Sequence, residues 1–422
     1  MRRHRRAPSR GGALLVGALA LGHAAAGGCE RVSYYSVSGS SSGDPPATSA
    51  QSGGGAGSGG VTRAEVLGAV GACAATLYRD FAVAAGEFQD AAADAVIAPG
   101  AGATEEARAA WAKAIALWEQ AEVIRVGPAG PSDLPEGQDL RDLIYSWPLV
   151  SRCLVEQTLV AKAYESESFS ATALINVRGL AAAEYLLFYE GTDNACSPSA
   201  SINASGTWAA IEPAELADRK AIYAAVVASD VAAKARAVAD AWDPAHGDFG
   251  ARLAAAGGGG SPFASDQLAL NAVSDGMFYI EKEVKDLKLG RPLGLVDCPG
   301  ASCPEAVESR YARVARDHVR NNLVGFRRVF AGCDEGGQRG FDNLLTAMGA
   351  GPVADRMSDD IEAAIAAADA LADADLIHAL EVDRAGVERL HAALKRITDT
   401  LKTDFVTVLD LEPPKVIEGD ND

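Results

Sequence analysis

The chain of 422 residues carries 57 acidic and 38 basic side chains, a formal charge of −19, and is 48% hydrophobic with only 6% aromatic residues. So acidic a chain is repelled by phosphate backbones, which excludes nucleic acid as a partner and suits cations or a solvated exterior. Alanine supplies much of the apolar content, so the expected fold is all-α, packed through small residues, rather than strands of Val, Ile and aromatic residues.

Residues 1–28 read as an export signal. Arg2, Arg3, Arg5, Arg6 and Arg10 form a basic start, Ala13 to Leu21 a short apolar core, and small residues lead to Ala26-Gly27-Gly28-Cys29. The apolar run is too short to cross a bilayer, which takes about 20 residues. A Cys directly after small residues at the cleavage point has the form of a bacterial lipobox, so Cys29 is the expected lipidation site and membrane anchor. An ordinary signal with an incidental Cys is the alternative. Glu30, rather than Asp, follows the Cys, which favours the outer membrane. Cleavage would remove five basic residues and no acids, leaving the mature chain more acidic still.

Residues 29–61 are then a lipidated Cys and a disordered Ser/Gly-rich tether with almost nothing to bury. Helical periodicity starts after Thr62, a suitable N-cap, and runs through Leu77, Phe81 and Phe88 to about Ile97. A second helix opens at Thr104-Glu105-Glu106. Its residues Trp111, Ile115, Trp118, Glu122 and Arg125 fall within about 80° on a helical wheel. Glu122 and Arg125 are three apart, the spacing of an internal salt bridge or of a pair lining a site. Pro148 fits a first helical position for a helix through Val160.

Residues 176–188 are apolar on every side, so that helix must be enclosed by others. Inside it stands one carboxylate, Glu184, with Arg178 nearly two turns earlier. An unpaired buried carboxylate costs several kcal/mol, so Glu184 requires a partner, a proton or a bound cation. Further helices are expected at about 208–242, 263–288, 304–331, 352–373 and 381–409. Two packed helical bundles, over 62–205 and 206–414 with an acidic tail at 415–422, are the economical arrangement.

Setting Cys29 aside leaves Cys73, Cys153, Cys196, Cys298, Cys303 and Cys333. An even set in an oxidising compartment suggests up to three disulfides, with the pairing open and Cys298–Cys303 the easiest local pair. No HExxH, CxxCH or Walker loop is present. Asp375/His378 and Glu388/His391 have the i,i+3 spacing of di-iron bundles, but on one helix they lie about 20 Å apart, so surface histidines are expected. Lys282, Lys285 and Lys288, three apart, read as a solvated helix edge.

Several segments together resemble the imelysin family, the M75 peptidase-like, iron-regulated proteins of bacterial envelopes. They are Ala110-Trp111 to Trp118-Glu119-Gln120-Ala121-Glu122 with Val126-Gly127-Pro128, then Trp147-Pro148, then Arg178-Gly179 to Glu184-Tyr185-Leu186-Leu187-Phe188. Lys288-Leu289-Gly290-Arg291-Pro292-Leu293-Gly294 and Leu401-Lys402-Thr403-Asp404-Phe405 complete the series, in order across residues 62–412. The resemblance implies two related helical bundles and a lipoprotein or periplasmic life around iron or haem uptake. The family signature is Gly-x-His-x-x-Glu. Here Gly179 and Glu184 match, but Ala181 stands at the His position, and a methyl group can neither ligate a metal nor take a proton.

The resulting expectation is a non-catalytic envelope lipoprotein. Its inter-bundle cleft, lined by Trp118, Glu122, Arg125, Arg178 and Glu184, would bind a metal ion, iron or haem as a chelate, or a component of an iron- or haem-uptake system. Glu184 is the candidate metal ligand. An M75-like metallopeptidase, which needs a metal with an open position, is the alternative. A structural or interaction lipoprotein without a ligand is the second.

Overall fold

The computed structural model describes residues 60–333 and 339–414; the signal, Cys29, nearly all of the tether and the 415–422 tail lie outside the described residues. Among those described, every regular element is helical. The principal ones, in chain order, are α1 (Arg63–Ile97), α2 (Ala101–Ala121), α3 (Gly179–Phe188), α4 (Pro213–Trp242), α5 (Asp266–Met277), α6 (Ile280–Gly290, wound with wide turns), α7 (Ala315–Ala331), α8 (Gly351–Asp369) and α9 (Arg384–Thr400).

The start of α1 follows from its sequence. Thr62 caps the Glu65 N–H while the Glu65 carboxylate returns to the Thr62 N–H, a reciprocal box that satisfies two otherwise orphan donors. By length and composition α1 could span a membrane, yet Leu67, Leu77, Phe81 and Phe88 are wholly buried in the fold, as in a core helix. Pro213 opens α4, where its missing N–H costs nothing.

Two groups of helices result. In one, α1 packs on α2 and α4, and α3 lies against α2 and α4; in the other, α6, α7, α8 and α9 pack together. α4, which follows the boundary expected near residue 206, thus joins α1–α3. The groups meet chiefly where α7 crosses α2. Gly325 permits that crossing, because a Cβ there would lie 2.1 Å from the Gln120 carbonyl oxygen. The six downstream cysteines pair as Cys73–Cys333, Cys153–Cys196 and Cys298–Cys303, the last being the local pair expected.

Several boundaries differ from the periodicity. α2 starts before Thr104 and ends at Ala121 with Glu122 as its cap, so Arg125 lies beyond the helix. The Trp147–Pro148 bond is cis, and the helix after it starts only at Arg152. The segments expected at 263–288 and 381–409 each divide into successive helices, and most of 304–314 is irregular ahead of α7.

Candidate functional site

α3 is enclosed as its composition requires, with every residue from Gly179 to Leu187 buried. Its first residue, Gly179, has φ +76°, a conformation that costs other residues about 1–2 kcal/mol, and a Cβ there would meet the Ile144 carbonyl oxygen at 2.6 Å. This sharp entry leaves Arg178 extended, outside the helix. Its guanidinium turns to α4, where Nε lies 3.0 Å from Asp230 Oδ2, and it also donates to the Ser170 and Ala173 carbonyls. Arg178 is therefore committed to Asp230 and is not the partner that Glu184 requires.

Glu184 instead faces the irregular segment before α7. The backbone N–H groups of Tyr311 and Ala312 donate to its Oε1 at 2.8 and 3.0 Å. No cation lies within ion-pair distance of it among the described residues. Burial therefore dominates: it pushes the carboxyl up to about 7, with the two backbone donors only partly opposing. Glu184 and Ala181 share the wall of a cavity of about 330 Å³ with Trp147, Tyr185, Arg291 and Tyr311. A transition metal does not fit here. Ala181 offers no donor, and Glu184 belongs to no group of three metal-ligating side chains among the described residues.

Behind this cavity lies a buried ionic cluster. Lys288 of α6 is 1% exposed and sets its Nζ 2.6 Å from Glu119 Oε2, 3.0 Å from Glu308 Oε1 and 2.9 Å from Asn322 Oδ1. Asn322 Nδ2 donates to Glu119 Oε2 at 2.8 Å, and the Tyr145 hydroxyl donates to Glu308 Oε1 at 2.6 Å. His318 of α7 places Nδ1 3.1 Å from Glu119 Oε1 and 3.3 Å from Glu308 Oε2. Glu122 adjoins them, accepting from Trp118 Nε1 at 3.1 Å and from the Tyr279 hydroxyl, with Arg141 Nη2 at 3.3 Å.

The charges in this cluster hold one another. Burial and the Glu308 charge would raise the Glu119 carboxyl, but Lys288 and His318 outweigh them and hold it low. Burial likewise works against Glu308, and Lys288 and His318 reverse it. For His318, burial favours the neutral ring, yet Glu119 and Glu308 carry it up to about 10. Glu122 moves the other way, raised by burial and by Glu119.

A family model described as imelysin matches residues 74–403. The chain belongs to the imelysin family. It is 26% identical over 274 residues to iron-regulated protein A of Synechococcus elongatus, an alignment covering 64% of this chain and 65% of that relative, slightly under two thirds of its length. Two solved structures share the fold at 18% identity. An iron-regulated protein A precursor from Parabacteroides distasonis superposes with a TM-score of 0.62 over 82% of this chain and 94% of its own. An imelysin-like protein from Psychrobacter arcticum does so with 0.59 over 83% and 97%.

Within this imelysin fold, the expected site residues separate. Glu184 lines the cavity, whereas Trp118 and Glu122 belong to the buried cluster and Arg178 to the α4 ion pair. The expected Glu122–Arg125 bridge is absent: Arg125 Nη1 reaches Glu283 at 3.3 Å, and Glu122 takes Arg141. The lysine edge is also corrected, since Lys285 and Lys288 are buried and ion-paired. Sequence reasoning missed Glu119, Lys288, Glu308 and His318. A signal existed for two of them, because Trp118-Glu119 and Lys288-Leu289-Gly290 stand inside the very segments that carry the imelysin resemblance.

Proposed function

We propose that this imelysin-family protein is a non-catalytic, extracytoplasmic binding protein whose Glu184 cavity takes a carboxylate-bearing metal chelate. The observation that carries this reading is the charge of the cavity wall. Arg291 and Arg310 both line it, and neither has a carboxylate within ion-pair distance among the described residues. Among the described residues, Arg310 is held by the Glu305 carbonyl and the face of Tyr311. Guanidinium groups recognise carboxylates through paired N–H donors and stack on flat groups, and Trp147, Tyr185 and Tyr311 supply aromatic surface beside them. Glu184, with a pKa of about 7, gives the same cavity a carboxyl that an incoming cation would ionise.

The three disulfides suit an oxidising compartment, consistent with export and with an anchor at Cys29 on the outer membrane, facing the periplasm or the cell surface. Iron- or haem-uptake components are the partners this reading proposes, and the relative and structural neighbour named as iron-regulated lend it support. Calorimetric titration of the mature, disulfide-bonded protein with ferric citrate, haem, free citrate and free Fe, Zn and Cu tests the reading. The expected result is binding of ferric citrate or haem that weakens at least tenfold in Arg291→Ala and in Glu184→Ala. No binding of either chelate, or equal binding in all three proteins, would overturn it.

A further inference from the structure

We propose that Glu119, Glu308 and His318 form a second, separate site for one divalent first-row transition-metal ion, bound through Glu119 Oε1, Glu308 Oε2 and His318 Nδ1. A donor atom from each residue lies within 4.8 Å of the other two, and all three side chains are buried. The Nδ1–oxygen separations of 3.1 and 3.3 Å are compatible with a shared ion. Ligands about 2.1 Å from one tetrahedral or octahedral ion stand about 3.0–3.4 Å apart.

The hydrogen bonding points the same way. In each carboxylate one oxygen is fixed from outside: Glu119 Oε2 by Lys288 and Asn322, Glu308 Oε1 by Tyr145 and Lys288. The opposite oxygens, Glu119 Oε1 and Glu308 Oε2, are buried and, among the described residues, have no neighbouring donor but His318 Nδ1, at 3.1 and 3.3 Å. Those are the two that converge on the imidazole. The two carboxylates are thus oriented by their outer neighbours, as metal-ligating carboxylates are, while the buried His318 Nε2 has no such partner among the described residues. A single Nδ1–H would be shared among both oxygens and Ser309 Oγ, itself 3.3 Å away, whereas an ion on that side of the ring serves both carboxylates fully.

Charge allows it as well. Lys288 and Arg141 face three carboxylates, Glu119, Glu122 and Glu308, and the remaining negative charge is balanced by the His318 proton, which a cation bound at Nδ1 would displace. Two carboxylate oxygens and an imidazole, without thiolate, suit Zn²⁺, Fe²⁺, Co²⁺ or Mn²⁺ and leave room for a further ligand. The set uses neither Glu184 nor Ala181, so it stands whether or not a chelate binds in the outer cavity.

The test uses Co²⁺ added to the mature, chelator-treated, disulfide-bonded protein. Near one Co²⁺ per chain should survive gel filtration. Crystals should give an anomalous difference peak at about 2.0–2.3 Å from Glu119 Oε1, Glu308 Oε2 and His318 Nδ1. His318→Gln and Glu308→Gln should lose at least tenfold in affinity, and Glu184→Ala should keep it. Absence of a peak between the three atoms, a peak only at His378, which is exposed and pairs with Asp373 Oδ2 at 2.5 Å, or unchanged affinity in folded His318→Gln would overturn the assignment. Should the variants fail to fold by circular dichroism, the anomalous map on wild-type protein decides alone.

Discussion

Replacing Glu184 by Gln should alter the pH dependence of stability more than stability at any one pH. The carboxyl titrates at 4.5 when solvated and at about 7 in the fold, because burial outweighs the Tyr311 and Ala312 donors. The folded chain thus holds a proton that the unfolded chain releases. Stability therefore falls as pH rises from about 4.5 to about 7 and levels off above. At about 1.4 kcal/mol per pH unit, that interval amounts to about 3 kcal/mol. Gln cannot titrate, but its carbonyl oxygen can still accept from both N–H groups, so the other groups contribute nearly equally to both proteins. Urea unfolding at intervals from pH 4.5 to 8, disulfides intact, should show the Gln variant gaining about 3 kcal/mol on the wild type over the range. Parallel curves would refute the reasoning, since they would mean a solvated or already neutralised carboxyl. A wild type that gains on the variant would reveal a cation at Glu184.

Lys288→Met should cost about 3–5 kcal/mol in denaturant unfolding, because it strands Glu119 and Glu308 without their shared ammonium. Gly179→Ala should cost about 2–3 kcal/mol in the same assay, through the left-handed φ and the Ile144 carbonyl, and should misplace Glu184. Removing the Cys73–Cys333 link by double Ser substitution should lower stability by about 3–5 kcal/mol, because it ties residues 260 apart; calorimetry under non-reducing conditions measures this. An unchanged melting temperature in any of the three would contradict the contact named.

Local chemistry was enough to place α1, whose cap, apolar spacing and length are all written in neighbouring residues. It was enough, too, for the enclosure of α3, since a helix apolar on all sides has no other stable setting. The even cysteine set implied disulfides, although only the nearest pair was legible because the other partners stand 43 and 260 residues apart.

The chain by itself determined that this protein is helical, that α3 is buried and that Glu184 goes inside with it. Only the tertiary structure decided who meets whom. Arg178 leaves the helix at Gly179 and finds Asp230. Lys288, whose three-residue spacing reads as a wet edge, is drawn in by carboxylates arriving from α2 and the segment before α7. Periodicity reports which face of a helix is apolar. It carries no information on which charges distant segments will bring to that face, and in a buried cluster those charges set the energy.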